Sequence, residues 1–499
     1  MKKFSSASKR AVRREVAPAA VLALIVCAIP PAHARVDLAA HIQDQMVVQR
    51  GATWEVSGTA SEDERFTLAF LKQRVEVRPA AGAWSARFDV PANFTGPADL
   101  VLEPQRLVRK VLVGDVWLCS GQSNMALSVE RVQDGGQIVQ LAQGKSIHIF
   151  QVPKPMTGEQ PAGSGRWSPA ELGEAARFSA VCLAFGAALS ERLKVPLGLI
   201  DASLGATWIE SWISAQGFRG FSSQGSSRAR YAERQQQRKR KERRGKVYGI
   251  DEPSQLFDLM VRPVARQAIK GVLWYQGEGN RRNSDNYTEL LALLIRDWRA
   301  QWNHAALPFI VMQLPGFGKP GAGLDPLSEW AAIRDAQRAA VARSLPAALA
   351  VTIDLGDGTI HPANKLPFGQ RAAAVAFDLV YDAARTGLAP LPTGVSRENN
   401  AVRVQFDAGR ACVKGAPSFA GTVFVAGDDR RWEAAEVEIG PASLVARSPR
   451  VPRPVAVRYA WSDYPRAGLH SCEGGLPVTP FRTDDWPPAG DWPPERKPG

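Results

Sequence analysis

Residues 111–125 read VLVGDVWLCSGQSNM. The first eight positions form a largely apolar run typical of a buried strand, and Ser-Gly-Gln-Ser-Asn follows at 120–124, directly before a helix-like stretch. In α/β folds, ligands bind at the carboxyl ends of the strands. Ser123 is therefore a candidate nucleophile at a helix N-terminus, where free backbone amides could stabilise an oxyanion. The alternative for this segment alone is that the serine only caps the helix.

The pattern on the C-terminal side of this stretch extends the same organisation. Short apolar runs at 197–200, 271–275, 309–312 and 348–353 alternate with longer helix-like segments. Alternating strands and helices are typical of parallel sheets covered by helices. The sequence therefore predicts a three-layer α/β domain with a largely parallel sheet over residues 111–390.

The flanks of this domain read as β-structure. Between 35 and 110 the runs 66–70 and 75–77 alternate apolar and polar residues between Gly, Pro, Asn and Asp, which predicts a small N-terminal β-sandwich. From 391 the helices stop, and 402–404 and 455–459 look like strands of a C-terminal β-domain that ends near 485. Residues 486–499 are Pro-rich and are expected to form a loose tail.

Residues 1–34 have the pattern of a signal peptide. Six Lys or Arg residues precede an apolar run at 17–29, and Ala-His-Ala at 32–34 provides a cleavage site after Ala34. The run is shorter than the ~20 residues that span a bilayer. Ile25 and Val26 are too bulky for lipoprotein processing at Cys27. We therefore expect a periplasmic or secreted protein without a membrane anchor.

The basic charge is confined to two segments. Residues 1–34 and 219–247 carry +5 and +9 of the formal net charge of +13, so the rest of the chain carries −1. A nucleic-acid-binding fold is therefore not expected. The segment 219–247 is interpreted as a basic surface insertion, and the alternative is a patch for an anionic partner.

Four cysteines remain after the expected cleavage: Cys119, Cys182, Cys412 and Cys472. None forms a C-x-x-C pair, so neither a zinc site nor a redox motif is expected. Cys182 lies in a largely apolar run and is expected to be a buried free thiol. Cys412 and Cys472 could form a disulfide in an oxidising compartment.

Two further segments place small or polar residues after apolar strands. Gly205 follows the run at 197–200, where its amide could approach a substrate. Gln276, Glu278 and Asn280 follow the run at 271–275 in the sequence WYQGEGN (274–280). Each segment alone is equally consistent with an ordinary glycine-containing turn.

A serine nucleophile needs a base, and one histidine has a suitable position. Of the five histidines beyond residue 34, only His361 lies at the end of a predicted α/β strand beside acidic residues, in DLGDGTIHP (354–362). The order Ser…His with an acid close before the histidine supports a serine esterase in which the imidazole accepts the hydroxyl proton.

These segments together resemble the sialate O-acetylesterase family of carbohydrate esterases, within the wider group of SGNH hydrolases. The similar stretches are GDVWLCSGQSNM (114–125), GLIDASLGATWIESW (198–212), WYQGEGN (274–280), DLGDGTIHPANK (354–365), MVVQR (46–50), RYAWSDYP (458–465) and GLPVTPFRTDDW (475–486). They cover almost all of the chain beyond the signal peptide. The resemblance implies a flavodoxin-like SGNH core with β-domains attached, and hydrolysis of acetyl esters on sugars without a cofactor. A metal enzyme is not expected, because no His/Asp/Glu cluster in the sequence has ligand spacing.

The resemblance also assigns roles to individual residues. Ser123 matches the nucleophile and His361 the general base. The oxyanion hole of the wider group falls on the amides of Ser123 and Gly205 and on the side chain of Gln276 or Asn280. Further candidates for oxyanion or substrate binding are Gln122, next to Ser123, and Glu278, in the stretch WYQGEGN (274–280).

The chain departs from the family pattern at three places. Gly279 stands where the family often has serine, and LGA at 204–206 replaces the usual WGG. Gly358 occupies the position three residues before the histidine, where many SGNH enzymes have an aspartate. Asp357, Asp354 or a backbone carbonyl could then orient His361, and Asp357 is the expected partner because the flexible Gly358 lets its carboxylate fold under the ring.

Two other functions remain open from the sequence. An acetyl-xylan or pectin deacetylase would use the same chemistry on another acetylated polymer. A non-catalytic carbohydrate-binding protein would keep the fold without the reaction, although the joint presence of Ser123, Gly205, Gln276 and His361 argues against a loss of catalysis.

Overall fold

The computed structural model describes residues 36–155, 165–219, 221, 252–321, 323–381, 388–407, 413–415, 421–440, 442–472 and 475–486. The expected signal peptide, Cys412, almost all of the basic insertion and the tail from 487 lie outside these residues.

The N-terminal part of the described chain is built from strands. They are β1 (Asp37–Leu38), β2 (Val47–Gln49), β3 (Thr53–Thr59), β4 (Phe66–Phe70), β5 (Gln73–Val77), β6 (Ala83–Asp89) and β7 (Gly96–Glu103). The order β1-β3-β6 forms one sheet, and β4 pairs with β5 and β7 in another. Their buried faces meet, because Trp54 on β3 contacts Phe70 on β4 with ring centroids 4.9 Å apart.

The next strand, β8 (Leu107–Gly121), belongs to two parts of the molecule at once. Its first half pairs antiparallel with β7 and parallel with β2. Its second half is the centre of the main sheet. The domain boundary predicted at 110/111 therefore falls inside a continuous strand.

The main sheet has the order β10-β9-β11-β8-β12-β13-β14. Its further strands are β9 (Ile147–Gln151), β10 (Trp167–Pro169), β11 (Leu197–Ser203), β12 (Gly271–Tyr275), β13 (Phe309–Met312) and β14 (Ala347–Ala350). All neighbours are parallel except β9 and β10. The expected largely parallel sheet is confirmed, although β14 ends four residues before Asp354 and the predicted strand 348–353 is too long.

Helices cover both faces of this sheet. The α-helices among the described residues are α1 (Ser123–Ala126), α2 (Gly135–Ala142), α3 (Leu172–Ala175), α4 (Ala180–Leu193), α5 (Ser284–Gln301), α6 (Glu329–Ala342) and α7 (Leu366–Val380). Trp274 on β12 packs against Trp298 of α5, whereas the next residue, Tyr275, stacks on Phe368 of α7. Because successive strand residues point to opposite faces, the two helices lie on opposite sides of the sheet. The α/β class is thus confirmed.

A disulfide joins the central strand to a helix. Cys119 on β8 is bonded to Cys182 on α4, and both residues are fully buried. The prediction of a free thiol at Cys182 is therefore wrong. Cys472 is also disulfide-bonded, while Cys412, the partner considered for it, lies outside the described residues.

The C-terminal part is again made of antiparallel strands. They are β15 (Pro392–Glu398), β16 (Ala401–Phe406), β17 (Val413–Gly415), β18 (Val423–Ala426), β19 (Trp432–Ala434), β20 (Glu436–Gly440), β21 (Ser443–Arg447), β22 (Ala456–Tyr459), β23 (Leu469–Ser471) and β24 (Phe481–Arg482). They form sheets in the orders β15-β16-β21-β20, β19-β18-β22-β24 and β17-β23. In the part of the chain that the structure describes, no helix is long and apolar enough to cross a membrane.

Candidate active site

Ser123 lies where the central strand turns into a helix. Strand β8 ends at Gly121, whose φ of 134° and close approach to β12 require glycine: a Cβ there would lie 2.1 Å from the carbonyl oxygen of Tyr275. The following N–H, from Gln122, donates to that same carbonyl (2.9 Å), and Ser123 then begins α1. The half-buried serine is thereby fixed at the carboxyl edge of the sheet.

The structure brings His361 to this serine from 238 positions further along the chain, with 2.8 Å between the imidazole Nε2 and the serine Oγ. His361 lies on the loop between β14 and α7, which we call the histidine loop (residues 354–363). Burial, helped by the positive charges of Lys365 and Arg131, lowers the pKa of His361 below its usual value of 6.5. The ring is therefore neutral at neutral pH and can accept the serine proton.

The carboxylate expected to orient His361, that of Asp357, bonds to its own loop instead. Asp357 accepts hydrogen bonds from the N–H (2.9 Å) and hydroxyl (2.6 Å) of Thr359 and from the N–H of Ala363 (2.8 Å). Among the described residues, the imidazole hydrogen-bonds only to Ser123. The expected bond from His361 to Asp357 is thus absent, because the short acidic side chain is satisfied by its own loop.

The alternative carboxylate, Asp354, is also turned away. It forms a salt bridge with Arg371 of α7, in which Nη2 donates to Oδ2 over 2.9 Å. Neither aspartate therefore completes a Ser-His-Asp triad in this structure. What the two acids do instead is shape and anchor the histidine loop.

A buried polar cluster behind the serine and histidine was not found from the sequence. Asn124 donates from Nδ2 to Glu278 Oε1 (2.6 Å) and to the carbonyl of Ile360 (2.9 Å), and its Oδ1 accepts from Lys365 Nζ (2.6 Å). Burial raises the pKa of Glu278 and lowers that of Lys365 to about 8. We call these three side chains, Asn124, Glu278 and Lys365, the buried cluster. It ties the ends of β8 and β12 to the residue before His361.

Glu278, a candidate for oxyanion or substrate binding, lies in this buried cluster. Its side chain is only 2% exposed, and its Oε1 accepts from Asn124. A hint was available in the sequence, since Asn124 and Lys365 both belong to the stretches that carry the family resemblance. Their types alone do not reveal that they meet.

The amides expected to stabilise an oxyanion are present beside the serine. A Cβ placed on Gly205 would lie 3.4 Å from the Cβ of Ser123, so the glycine backbone lies directly against the serine side chain. Within the described residues, the N–H groups of Ser123 and Gly205 donate to no acceptor. Both are therefore available to an oxygen that develops negative charge.

The side-chain donor expected at Gln276 is not available. Its Nε2 donates to Asn280 Oδ1 (2.7 Å) and to the carbonyl of Thr207 (3.3 Å), which uses both N–H hydrogens, and Oε1 accepts from Tyr287 (2.8 Å). Asn280 Nδ2 donates one hydrogen to Glu210 (2.9 Å), and its other hydrogen has no acceptor among the described residues. Of the two amides predicted for this role, only Asn280 has an N–H hydrogen that the described part of the chain leaves unused.

Gln122 is a second source of a side-chain donor. Its Oε1 accepts from the N–H groups of Gly279 (3.0 Å) and Gly277 (3.4 Å), which fixes the orientation of the amide. Its Nε2 donates to no residue in the described ranges. A Cβ at Gly279 would lie 2.6 Å from the carbonyl of Thr207, which explains why serine does not fit at this position.

The described side chains of the site do not form a metal-binding group. Within the described residues, no group of three or more His, Cys, Asp or Glu side chains could hold a metal ion. The arrangement of a hydroxyl, a neutral imidazole and converging amides is suited to acyl transfer.

Comparison with known proteins agrees with this chemistry. The family model described as carbohydrate esterase, sialic acid-specific acetylesterase, matches residues 113–374. The sialate O-acetylesterase of Mus musculus is 27% identical over 89% of this chain and 93% of its own length. That of Homo sapiens is 31% identical over 71% of this chain and 74% of its own.

A solved structure is similar over nearly the whole chain. The crystal structure of a carbohydrate acetylesterase from Xanthomonas citri is 31% identical, with a TM-score of 0.77, and covers 91% of this chain and 100% of that protein. The family model alone spans more than half of the 499 residues. This chain therefore belongs to the sialic acid-specific acetylesterase family of carbohydrate esterases and is a carboxylic ester hydrolase.

Proposed function

We propose that this protein is an exported serine esterase that removes O-acetyl groups from sialic acid or related acetylated sugars. Ser123 is the nucleophile and His361 the general base. The observation that carries the proposal is the 2.8 Å contact between His361 Nε2 and Ser123 Oγ at the carboxyl edge of the sheet, next to two backbone N–H groups that donate to no acceptor in the described ranges.

The reaction follows from this geometry in two stages. Ser123 Oγ attacks the acetyl carbonyl carbon while His361 takes the hydroxyl proton, and the oxyanion receives hydrogen bonds from the amides of Ser123 and Gly205. The C–O bond to the sugar then breaks, and His361 returns the proton to the departing sugar oxygen. A water molecule then attacks the carbonyl carbon of the acetyl-serine while His361 takes its proton. The bond to Ser123 Oγ breaks, acetate leaves, and His361 returns the proton to the serine oxygen.

The orientation of His361 is assigned to its loop rather than to a carboxylate. The other ring nitrogen has no partner among the described residues, and both nearby aspartates bond elsewhere. The enzyme then works as a Ser-His dyad, with the third oxyanion donor supplied by the side-chain amide of Asn280 or Gln122. Replacing each amide separately by alanine and measuring kcat would identify the donor.

We assign the α/β core to the flavodoxin-like SGNH type, with β-domains before and after it. Support comes from the parallel sheet with the serine at the end of its central strand and from the strand-only segments that flank it.

Export is supported by two independent features. Residues 1–34 have the pattern of a cleavable signal peptide, and the disulfide between Cys119 and Cys182 belongs to a class of bond that persists mainly in oxidising compartments. We assign the protein to the periplasm or the exterior of the cell. Mass spectrometry of the protein after export would show an N-terminus at Arg35.

The experiment that tests the function is acetate release from a substrate panel. Purified protein and Ser123→Ala are assayed on O-acetylated sialic acids, acetylated xylan, acetylated pectin and an aryl acetate. We expect hydrolysis by the wild-type protein, fastest on the sialic acids, and none by Ser123→Ala. Faster acetate release from xylan or pectin would favour the deacetylase alternative, and sugar binding without hydrolysis would favour the non-catalytic one.

A further inference from the structure

A tyrosine that follows the C-terminal strand β22 contacts the histidine loop. Tyr464 lies on residues 461–465 (WSDYP), which follow β22 and which we call the brace segment. Its hydroxyl donates to the carbonyl of Gly356 on the histidine loop. Its ring lies against the same loop, because a Cβ at Gly358 would be 3.7 Å from Tyr464 Cε1.

The tyrosine also packs on a second loop that touches the histidine loop. This second loop follows β13, and a Cβ at its Gly316 would lie 2.0 Å from the Tyr464 ring. Its Gly318 N–H donates to the carbonyl of Gly358 over 2.9 Å. The two loops therefore form a layer of glycine backbone, and the ring of Tyr464 covers it.

A buried arginine holds the brace segment in place. Arg334 of α6 has no exposed surface, and its guanidinium donates to carbonyls on both sides. The acceptors are Leu314 (2.9 Å) and Pro315 (3.0 Å) after β13, and Ser462 (2.9 Å) and Asp463 on the brace segment.

Backbone contacts reinforce this attachment. Phe317 N–H donates to the carbonyl of Asp463 over 3.1 Å, and Gly321 N–H donates to that of Tyr464 over 3.0 Å. Since the guanidinium and the backbone bond to several carbonyls at once, the brace segment has a defined position on the α/β core.

From these contacts we propose that the brace segment positions His361, and that Tyr464 is a positioning residue for the ester hydrolysis. The proposal rests on the Ser-His mechanism proposed above. His361 is exposed, and its ring has no bond among the described residues besides that to Ser123, so its geometry depends on the loop that carries it. A displacement of a reacting group by about 1 Å can cost two orders of magnitude in rate.

The test is Tyr464→Phe in the full-length protein, which removes the hydroxyl and keeps the ring. We expect kcat on an aryl acetate to fall about three- to tenfold with KM changed less than twofold. Hydrogen exchange of the amides at 356–363 should become faster. The pH midpoint of kcat/KM should stay where it is, because no titrating group of the site is changed.

Tyr459→Phe is the matched control. Tyr459 is a fully buried tyrosine on β22 whose hydroxyl accepts from the N–H groups of Gly468 (3.1 Å) and Leu469 (2.9 Å) and, among the described residues, forms no hydrogen bond to the histidine loop. This variant should lose stability while its kcat and its exchange at 356–363 stay at the wild-type level.

The outcomes separate this inference from the proposed function. Wild-type kcat and unchanged exchange in Tyr464→Phe, with Ser123→Ala inactive, would refute the positioning role and leave the mechanism standing. Equal losses of kcat in both tyrosine variants would also refute it, since the effect would then be general destabilisation. An active Ser123→Ala would overturn the mechanism itself.

Discussion

Replacing Asn124 by alanine should destabilise the protein far more than an ordinary asparagine substitution. The change removes three hydrogen bonds from the buried cluster, to Glu278, Lys365 and the carbonyl of Ile360. A bond to a charged group contributes roughly 1.5–3 kcal/mol, and a bond between neutral groups roughly 0.5–1.5 kcal/mol. Water can enter the space left by the side chain, and Glu278 can take up a proton. We therefore expect the free energy of unfolding to fall by about 4 kcal/mol, near the lower end of the summed contributions of the three hydrogen bonds.

The measurement is chemical denaturation at pH 7, with Asn93→Ala as the control. Asn93 is exposed in a turn before β7, so its loss should change the free energy of unfolding by less than about 0.5 kcal/mol. Asn124→Ala should also lower kcat, because the carbonyl of Ile360 is no longer held beside His361. A loss of stability below about 1 kcal/mol in Asn124→Ala would show that the buried cluster does not act as described.

Three further outcomes follow from the site and the disulfide. The pH profile of kcat/KM should rise by tenfold per unit with a midpoint below 6.5, because burial lowers the pKa of His361 and activity is lost as this base becomes protonated; a midpoint above 7 would contradict the assignment. Asp357→Asn should lower kcat less than tenfold, because the carboxylate bonds to its own loop; a loss of 10³-fold would restore it as the partner of His361. Replacing Cys119 and Cys182 together by alanine should cost up to about 4 kcal/mol of stability in denaturant, since the disulfide closes a loop of 63 residues; unchanged stability would show that the bond is incidental.

The strands of the main sheet were predictable because each is a short apolar run bounded by turn residues. The runs 271–275 and 309–312 coincide with β12 and β13. The predicted strand 348–353 extends beyond the end of β14, because apolar residues continue after this strand into a turn. Composition alone does not distinguish a buried turn from the end of a buried strand.

Which residues meet across the sheet was less predictable. The disulfide was missed because Cys182 lies in an apolar helix, and its nearness to Cys119 depends on how that helix packs against β8. The same holds for Lys365, which is fully buried against Asn124 although lysine is a residue type that is usually exposed. A pattern along the chain indicates which face of an element is apolar, not which residues of two elements come together.

The hydrogen bonds of the site show the same limit. Gln276 and Asp357 have the residue types that the chemistry needs, and each is near the expected position in the chain. Whether a donor or a carboxylate is available depends on what else bonds to it. Gln276 already donates to the carbonyl of Thr207, and Asp357 already accepts from Thr359. Residue type identifies candidates, and only the completed network of bonds assigns their roles.

Strand β8 imposes a constraint on how this protein can change over evolution. The strand pairs with β7 at Val113 and with β11 from Asp115, and it ends at Gly121, two residues before the serine. Inserting or deleting one residue between Val113 and Asp115 would turn each following side chain of β8 to the opposite face of the main sheet. It would also shift Ser123 along the edge of the sheet. The N-terminal strands can therefore be exchanged for another module only if the new connection keeps the register of β8 in the main sheet. Most random recombination points within 107–121 would not keep it.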